Sequence, residues 1–155
     1  KYTIRKLASD CDKREAAQEL SELLRAIDRR EIHAASDDVL HEIKASINES
    51  DECWAAYEKK GRGLIAVWGI KRIKDYPGRL IWCLGTYRIS QYWLSFAGVS
   101  RRIVQRWANR YGVLHNAVGV FNEDAIKWLE WCGATMREPI QVGREQFYPF
   151  EIRRG

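Results

Sequence analysis

LIWCLGTYRI (residues 80–89), SRRIVQRWANRYG (100–112), VLHNAVGVF (113–121) and NEDAIKWLEWCG (122–133) follow one another with a single short break, Gln91 to Val99. The first and third runs are apolar and of strand length. The second carries Ile103, Trp107 and Tyr111 on one stripe, with Val104 and Ala108 alongside, and the fourth carries Ala125, Trp128, Leu129 and Cys132. Those spacings are helical. Gly112 and Gly133 stand where such helices stop. Strand, helix, strand, helix implies a parallel crossover inside one sheet.

On the N-terminal side the period is different. Residues 2–7 alternate weakly and predict an opening strand. Asp12 and Glu15 have the spacing of a capping box before a helix carrying Ala16, Leu20, Leu23, Leu24 and Ile27. A second helix follows Ser36-Asp37 and carries Val39, Leu40, Ile43 and Ile47. Residues 52–59 alternate, Lys60-Gly61-Arg62-Gly63 reads as a turn, and residues 64–73 are nearly continuous in apolar side chains. Tyr76-Pro77-Gly78 is turn chemistry, so this part predicts an antiparallel meander. After Gly133, residues 134–142 and 146–153 predict a last strand pair, with Pro149 pointing to an edge position. The expected class is α/β (α+β): a mixed, mostly antiparallel sheet flanked by helices, in the order β-α-α-β-β-β-α-β-α-β-β. The sheet should split where the strands ending near Ile89 and Phe121 diverge. Residues 1–155 read as a single domain, with no linker or low-complexity segment.

Composition narrows the partners. The longest uncharged run, Leu80 to Tyr87, is too short to cross a bilayer, and residues 1–5 hold no apolar signal core. Cys11, Cys53, Cys83 and Cys132 are dispersed, which offers no start for a metal site and suits reduced thiols in a cytoplasmic compartment. A net charge of +5 favours anionic partners without choosing among them.

Two local patterns resemble the GNAT N-acyltransferase superfamily, with the similarity spanning about Glu52 to Ile152. In that family the strand before the central helix ends in a loop, Arg/Gln-x-x-Gly-x-Gly/Ala, whose amides hold the pyrophosphate of acetyl-CoA. Here the corresponding residues are Ser95-Phe96-Ala97-Gly98-Val99-Ser100, followed by Arg101 and Arg102. The resemblance implies a cofactor site at Phe96, Ala97, Gly98, Val99, Ser100 and Arg101. The family's next helix often reads Asn-x-x-Ala, a hydrophobic residue, Tyr, then Gly-Phe. Asn122, Ala125 and Gly133 match, Leu129 replaces the tyrosine that protonates the leaving thiolate, and Ala134 replaces Phe. A leucine donates no proton. These departures and the closing strand Gln146 to Ile152 look like small GNAT-like proteins of short-tailed phages, some of them internal virion proteins of assembly and genome ejection.

The expectations are therefore paired. One is an acetyl-CoA-dependent N-acetyltransferase acting on an unidentified amine. The other is a catalytically silent phage protein that binds phage or host proteins, in the host cytoplasm or the virion. Asn122 serves either as a ligand contact or as a helix N-cap. Tyr87, Tyr92, Tyr111 and Tyr148 are the replacements open for the lost acid, and His115, Glu52, Glu58 and Glu123 are the candidate bases. Tyr92 and Trp93 read as core closure. Cys83 has no base beside it in sequence to activate a thiolate. His33 and His41 have no partner in sequence. Arg102, Arg106 and Arg110 form a stripe that reads as a solvated face rather than a nucleic-acid grip. The aromatic last strand would suit pairing across a homodimer.

Overall fold

The structure is a computed structural model and describes residues 1–60 and 62–155; Gly61, within the expected turn, lies outside the described residues. Its elements are β1 (Tyr2–Lys6), α1 (Asp10–Leu23), α2 (Ala26–His33), α3 (Val39–Glu49), β2 (Glu52–Glu58), β3 (Leu64–Lys71), β4 (Arg79–Gly85), α4 (Ile89–Tyr111), β5 (Val113–Gly119), α5 (Glu123–Trp131), β6 (Thr135–Met136), β7 (Ile140–Val142) and β8 (Glu145–Arg153). The strands form one sheet in the order β1-β2-β3-β4-β5-β8-β6, with β7 also on β8. β4 and β5 run parallel, and the β1–β2, β2–β3, β5–β8, β6–β8 and β7–β8 pairs are antiparallel. The expected mixed sheet is present. Its parallel pairing is confined to Arg79–Leu114 and Leu80–His115.

The chain packs as two compact units, residues 1–71 with 82–91 and residues 72–81 with 92–155. In the first, α1 and α3 lay Ala16, Ala17, Leu20, Val39, Ile43 and Ile47 against Cys53, Ala55, Leu64 and Val67. All of β3 from Leu64 to Ile70 is buried, which is why it reads as a continuous apolar run rather than an alternation. A fully buried Leu or Ile in such a core contributes about 1.5–3 kcal/mol.

The long N-terminal helix expected through Ile27 is two helices. Leu24 (φ −57°, ψ 135°) and Arg25 (φ −56°, ψ 142°) are extended. Neither is a helix breaker. Their extension is set from outside: Leu24 bridges antiparallel to Thr86, Arg25 N–H donates to Gly85 C=O at 2.9 Å, and Tyr87 N–H donates to Leu23 C=O at 3.1 Å. The cap of α1 is Ser9, whose Oγ accepts from Asp12 N–H at 3.0 Å, and Asp12 is already inside the first turn.

In the second unit, Val104, Trp107 and Ala108 of α4, Leu114 and Val118 of β5, Leu129 of α5, and Phe147, Phe150 and Ile152 of β8 are buried. Gly78, at φ +77°, passes so close to Val113 that a Cβ would lie 1.9 Å from its carbonyl oxygen; only glycine fits this turn. Gly133, at φ +98°, ends α5 as expected, with Ala134 N–H donating to Leu129 C=O at 2.9 Å.

Two expectations change here. The strand expected over residues 134–142 is interrupted into β6 and β7. Pro149 lies inside the sheet, opposite Ala117 of β5, not at an edge. Its carbonyl accepts from Arg137 N–H at 2.8 Å, but it has no N–H to return, so the β6 ladder stops there. β8 has β5 on one side and β6 and β7 on the other, which removes the reason for pairing it across a dimer.

Candidate active site

The largest correction concerns the expected phosphate loop. Residues 91–99 are not a loop: α4 runs unbroken for 23 residues from Ile89 to Tyr111. The reason is visible in the burial pattern. Ile89, Phe96, Ser100, Val104 and Trp107 are buried and Trp93 and Tyr111 half-buried, in steps of three and four residues throughout. Ser100 sits on that stripe because it has partners: its Oγ donates to Ala97 C=O at 2.9 Å and accepts from Trp128 Nε1 at 3.2 Å.

This changes what the motif residues can do. In a helix interior each N–H is engaged with the carbonyl one turn back, so Phe96, Ala97, Gly98, Val99 and Ser100 present no cradle of free amides. Successive residues also point about 100° apart. Phe96 is buried in the core and Ser100 bonds to α5. A Cβ on Gly98 would have no atom within 4 Å. Arg101 is committed as well: its guanidinium lies 4.4 Å from the Trp131 ring centroid, and its buried Nε has no hydrogen-bond partner. Asn122 stands at the other end of α5, about 14 Å away along a helix of nine residues. It is buried, and its Oδ1 accepts from Ala125 N–H at 3.4 Å as the helix cap. Ser100 and Arg101 thus meet the C-terminal half of α5, and Asn122 does not join them.

The acid–base candidates are similarly engaged. Leu129 is buried and apolar. Tyr111 packs beneath Arg79 and Arg110, at 4.3 and 5.2 Å. Tyr87 is exposed beside Arg88. Tyr92, like Trp93, is half-buried on α4. Tyr148 lines a recess of about 1160 Å³ with Val120, Ile126, Met136 and Pro139, and Glu123 is on its rim. Glu52 accepts from Trp54 Nε1 at 2.8 Å, and Glu58 lies 3.5 Å from Arg88. His115 is buried under Tyr76, ring centroids 4.2 Å apart, and its Nε2 has no hydrogen-bond partner. Burial lowers its pKa, with Glu151 pulling weakly the other way, so the ring is held neutral. Among the cysteines, Cys83 reaches solvent, yet crowding by the surrounding protein, with the Asp28 carboxylate adding to it, pushes its thiol up to about 12. Burial pushes Cys132 up to about 11. Neither is poised as a thiolate.

Four residues that sequence reasoning passed over organise the ends of β4. Asp28 is 2 % exposed. Its carboxylate accepts from Arg25 Nε at 3.2 Å, Arg25 Nη2 at 3.0 Å and Gly85 N–H at 2.8 Å. Thr86 Oγ1 donates to Leu64 C=O at 2.7 Å. Arg88 joins Glu19 at 3.0 Å and Leu64 C=O at 3.1 Å. In the second unit, Asn116 Nδ2 donates to Ile81 C=O at 2.6 Å, just beyond the last β4–β5 pair. A single Asp, Thr, Arg or Asn carries no pattern, and only the fold reveals its partner.

Arg102, Arg106 and Arg110 are exposed along α4. Among the described residues no group of three His, Cys, Asp or Glu could hold a metal ion, and no helix is long and apolar enough to cross a membrane.

No protein-family model matches the chain, and no curated protein matches it. Solved structures do. An N-acetyltransferase from Staphylococcus aureus Mu50 superposes with a TM-score of 0.68 at 15% identity, over 99% of this chain and 97% of that one. A GNAT-family acetyltransferase from Streptococcus pneumoniae gives 0.68 at 14% identity, with both chains covered completely. The ribosomal-protein-S18-alanine N-acetyltransferase of Escherichia coli gives 0.64 at 14% identity, over 99% and 94%. The fold is that of the GNAT acetyltransferases.

Proposed function

We propose that this chain, read as one domain over residues 1–155, keeps the GNAT architecture without acetyl transfer and works by binding another protein. The observation that supports this most is the continuity of α4: the residues expected to cradle a pyrophosphate spend their amides inside a helix. Leu129 in place of a proton donor and cysteines held as thiols agree with it. The pattern of Leu129, Gly133-Ala134 and the strand Gln146 to Ile152 favours a phage protein, with partners in the particle or the host.

A second reading, acetyl-CoA-dependent N-acetylation of an amine, has one feature in its favour. β4 leads into a 23-residue helix whose positive end, at Ile89, is a general site for anions. Calorimetric titration of acetyl-CoA, with a transfer assay on spermidine and on an alanine-terminated peptide, separates the two. No heat and no transfer are expected. Micromolar binding with turnover would replace the first reading by the second.

A further inference from the structure

The end of β4 is paired on the side away from β3 by the chain itself. Thr86 N–H donates to Ile65 of β3 at 2.9 Å, so Gly85 and Tyr87, its neighbours, turn their peptide groups to the opposite edge. Gly85 C=O takes Arg25 N–H, Gly85 N–H goes to Asp28, and Tyr87 N–H goes to Leu23 C=O. Cys83, two residues earlier, faces the same edge. Three features hold Leu23–Arg25 in this place. Leu24 is buried in the core of α1 and α3. Asp28 fixes Arg25 and Gly85 together. Gly85 has no room for a side chain, since a Cβ would meet Ile89 at 3.2 and 3.3 Å.

An unpaired strand edge offers N–H and C=O groups at two-residue intervals, the pattern that an extended chain of amides completes. The arm of an acyl-CoA thioester is such a chain, with two amides. We propose that Leu23–Arg25 is a built-in competitor for that edge of β4, with Asp28 as its catch, so that an acyl-CoA thioester binds there only when the linker is displaced. This rests on the non-catalytic reading and gives it a structural cause beyond the lost acid.

Arg25→Pro with Asp28→Asn tests it. Arg25 has φ −56°, which proline adopts, and Leu24 before it is already extended, so the change removes the donor to Gly85 without forcing the backbone. Acetyl-CoA binding is measured by calorimetry on the native protein and on the double variant, with thermal melts to show that both fold. The expected result is at least a tenfold gain in affinity in the variant. A folded variant with no gain overturns the latch and leaves the non-catalytic reading standing. Turnover by the native protein sinks that reading instead. If the double variant does not fold, Arg25→Pro alone carries the titration. Hydrogen exchange on the native protein adds a second readout: Tyr87 N–H should exchange faster than Thr86 N–H. Equal protection of the two would mean that the linker never leaves the edge.

Discussion

Two neighbouring glycines mark opposite conditions of the backbone. Gly85 has both its N–H and its C=O bonded to the Arg25–Asp28 turn and side chains of Ile89 against its Cα. Gly98 has nothing near the place of a Cβ, and four residues before it Leu94 is 89% exposed. The first region is cross-linked by groups far apart in sequence. The second is held by its own helix and a single buried stripe. A motif reading gave its attention to Gly98, while the tighter constraints converge on Gly85. Residue identity at a motif position says little when the backbone there has changed its state.

The sharpest way to break this contrast is Asp28→Ala. It leaves the Arg25 guanidinium half-buried without its partner and Gly85 N–H without an acceptor. Removing one partner of a buried pair costs about 3–5 kcal/mol. At roughly 2–4 °C per kcal/mol for a chain of this size, the midpoint should fall by about 10 °C. Leu94→Ala, made on exposed α4, should stay within about 0.5 kcal/mol of native. Denaturant melts of both variants decide it; similar losses would mean that the two regions are not different in kind.

A smaller effect is expected from His115, which is buried neutral. Its folded pKa is lowered, so on acidification the unfolded chain takes up the proton first. Stability from this group is therefore full above the unfolded value, about 6.5, and is lost as pH falls from there to the lowered folded value. One proton limits the slope to about 1.4 kcal/mol per pH unit. Comparing melts of native protein and His115→Phe from pH 7.5 to 5 isolates it. An unchanged pH slope in the variant would remove His115 from the account.

Much of the fold was legible because its period was clean. β3 is apolar throughout and buried throughout, α3 places Val39, Ile43 and Ile47 one turn apart, and α5 starts on Asn122 and stops on Gly133. The first half of α4 was not legible, since Ser95, Gly98 and Ser100 look like punctuation until Trp128 is seen bonding Ser100. The break at Leu24–Arg25 was not legible either, because a strand more than fifty residues away imposes it. At the candidate site, Asn122 carried its own signal through capping chemistry. Asp28 carried none: one acid on a polar helix reads as a solvated charge.

Asn122→Ala follows in size. If the residue acts as the cap of α5, the loss is about 1 kcal/mol. Asn122→Asp should recover most of it, since a carboxylate accepts from Ala125 N–H equally well and suits the helix N-terminus. Failure of Asp to recover stability would give Asn122 a role that capping does not explain.

The smallest effect has the opposite sign and tests the weaker side of the comparison. A glycine inside a helix costs roughly 0.5–1 kcal/mol relative to alanine, through the freedom it loses on folding. Gly98 is inside α4, its φ is not in the left-handed region, and a Cβ there meets nothing. Gly98→Ala should therefore raise the thermal midpoint by about 2 °C. A fall instead would mean that the backbone at Gly98 leaves helical geometry in solution, and the expected phosphate loop would regain its standing. A rise would show that this glycine owes nothing to the geometry of its position, and that its match to the motif is no guide to a bound pyrophosphate.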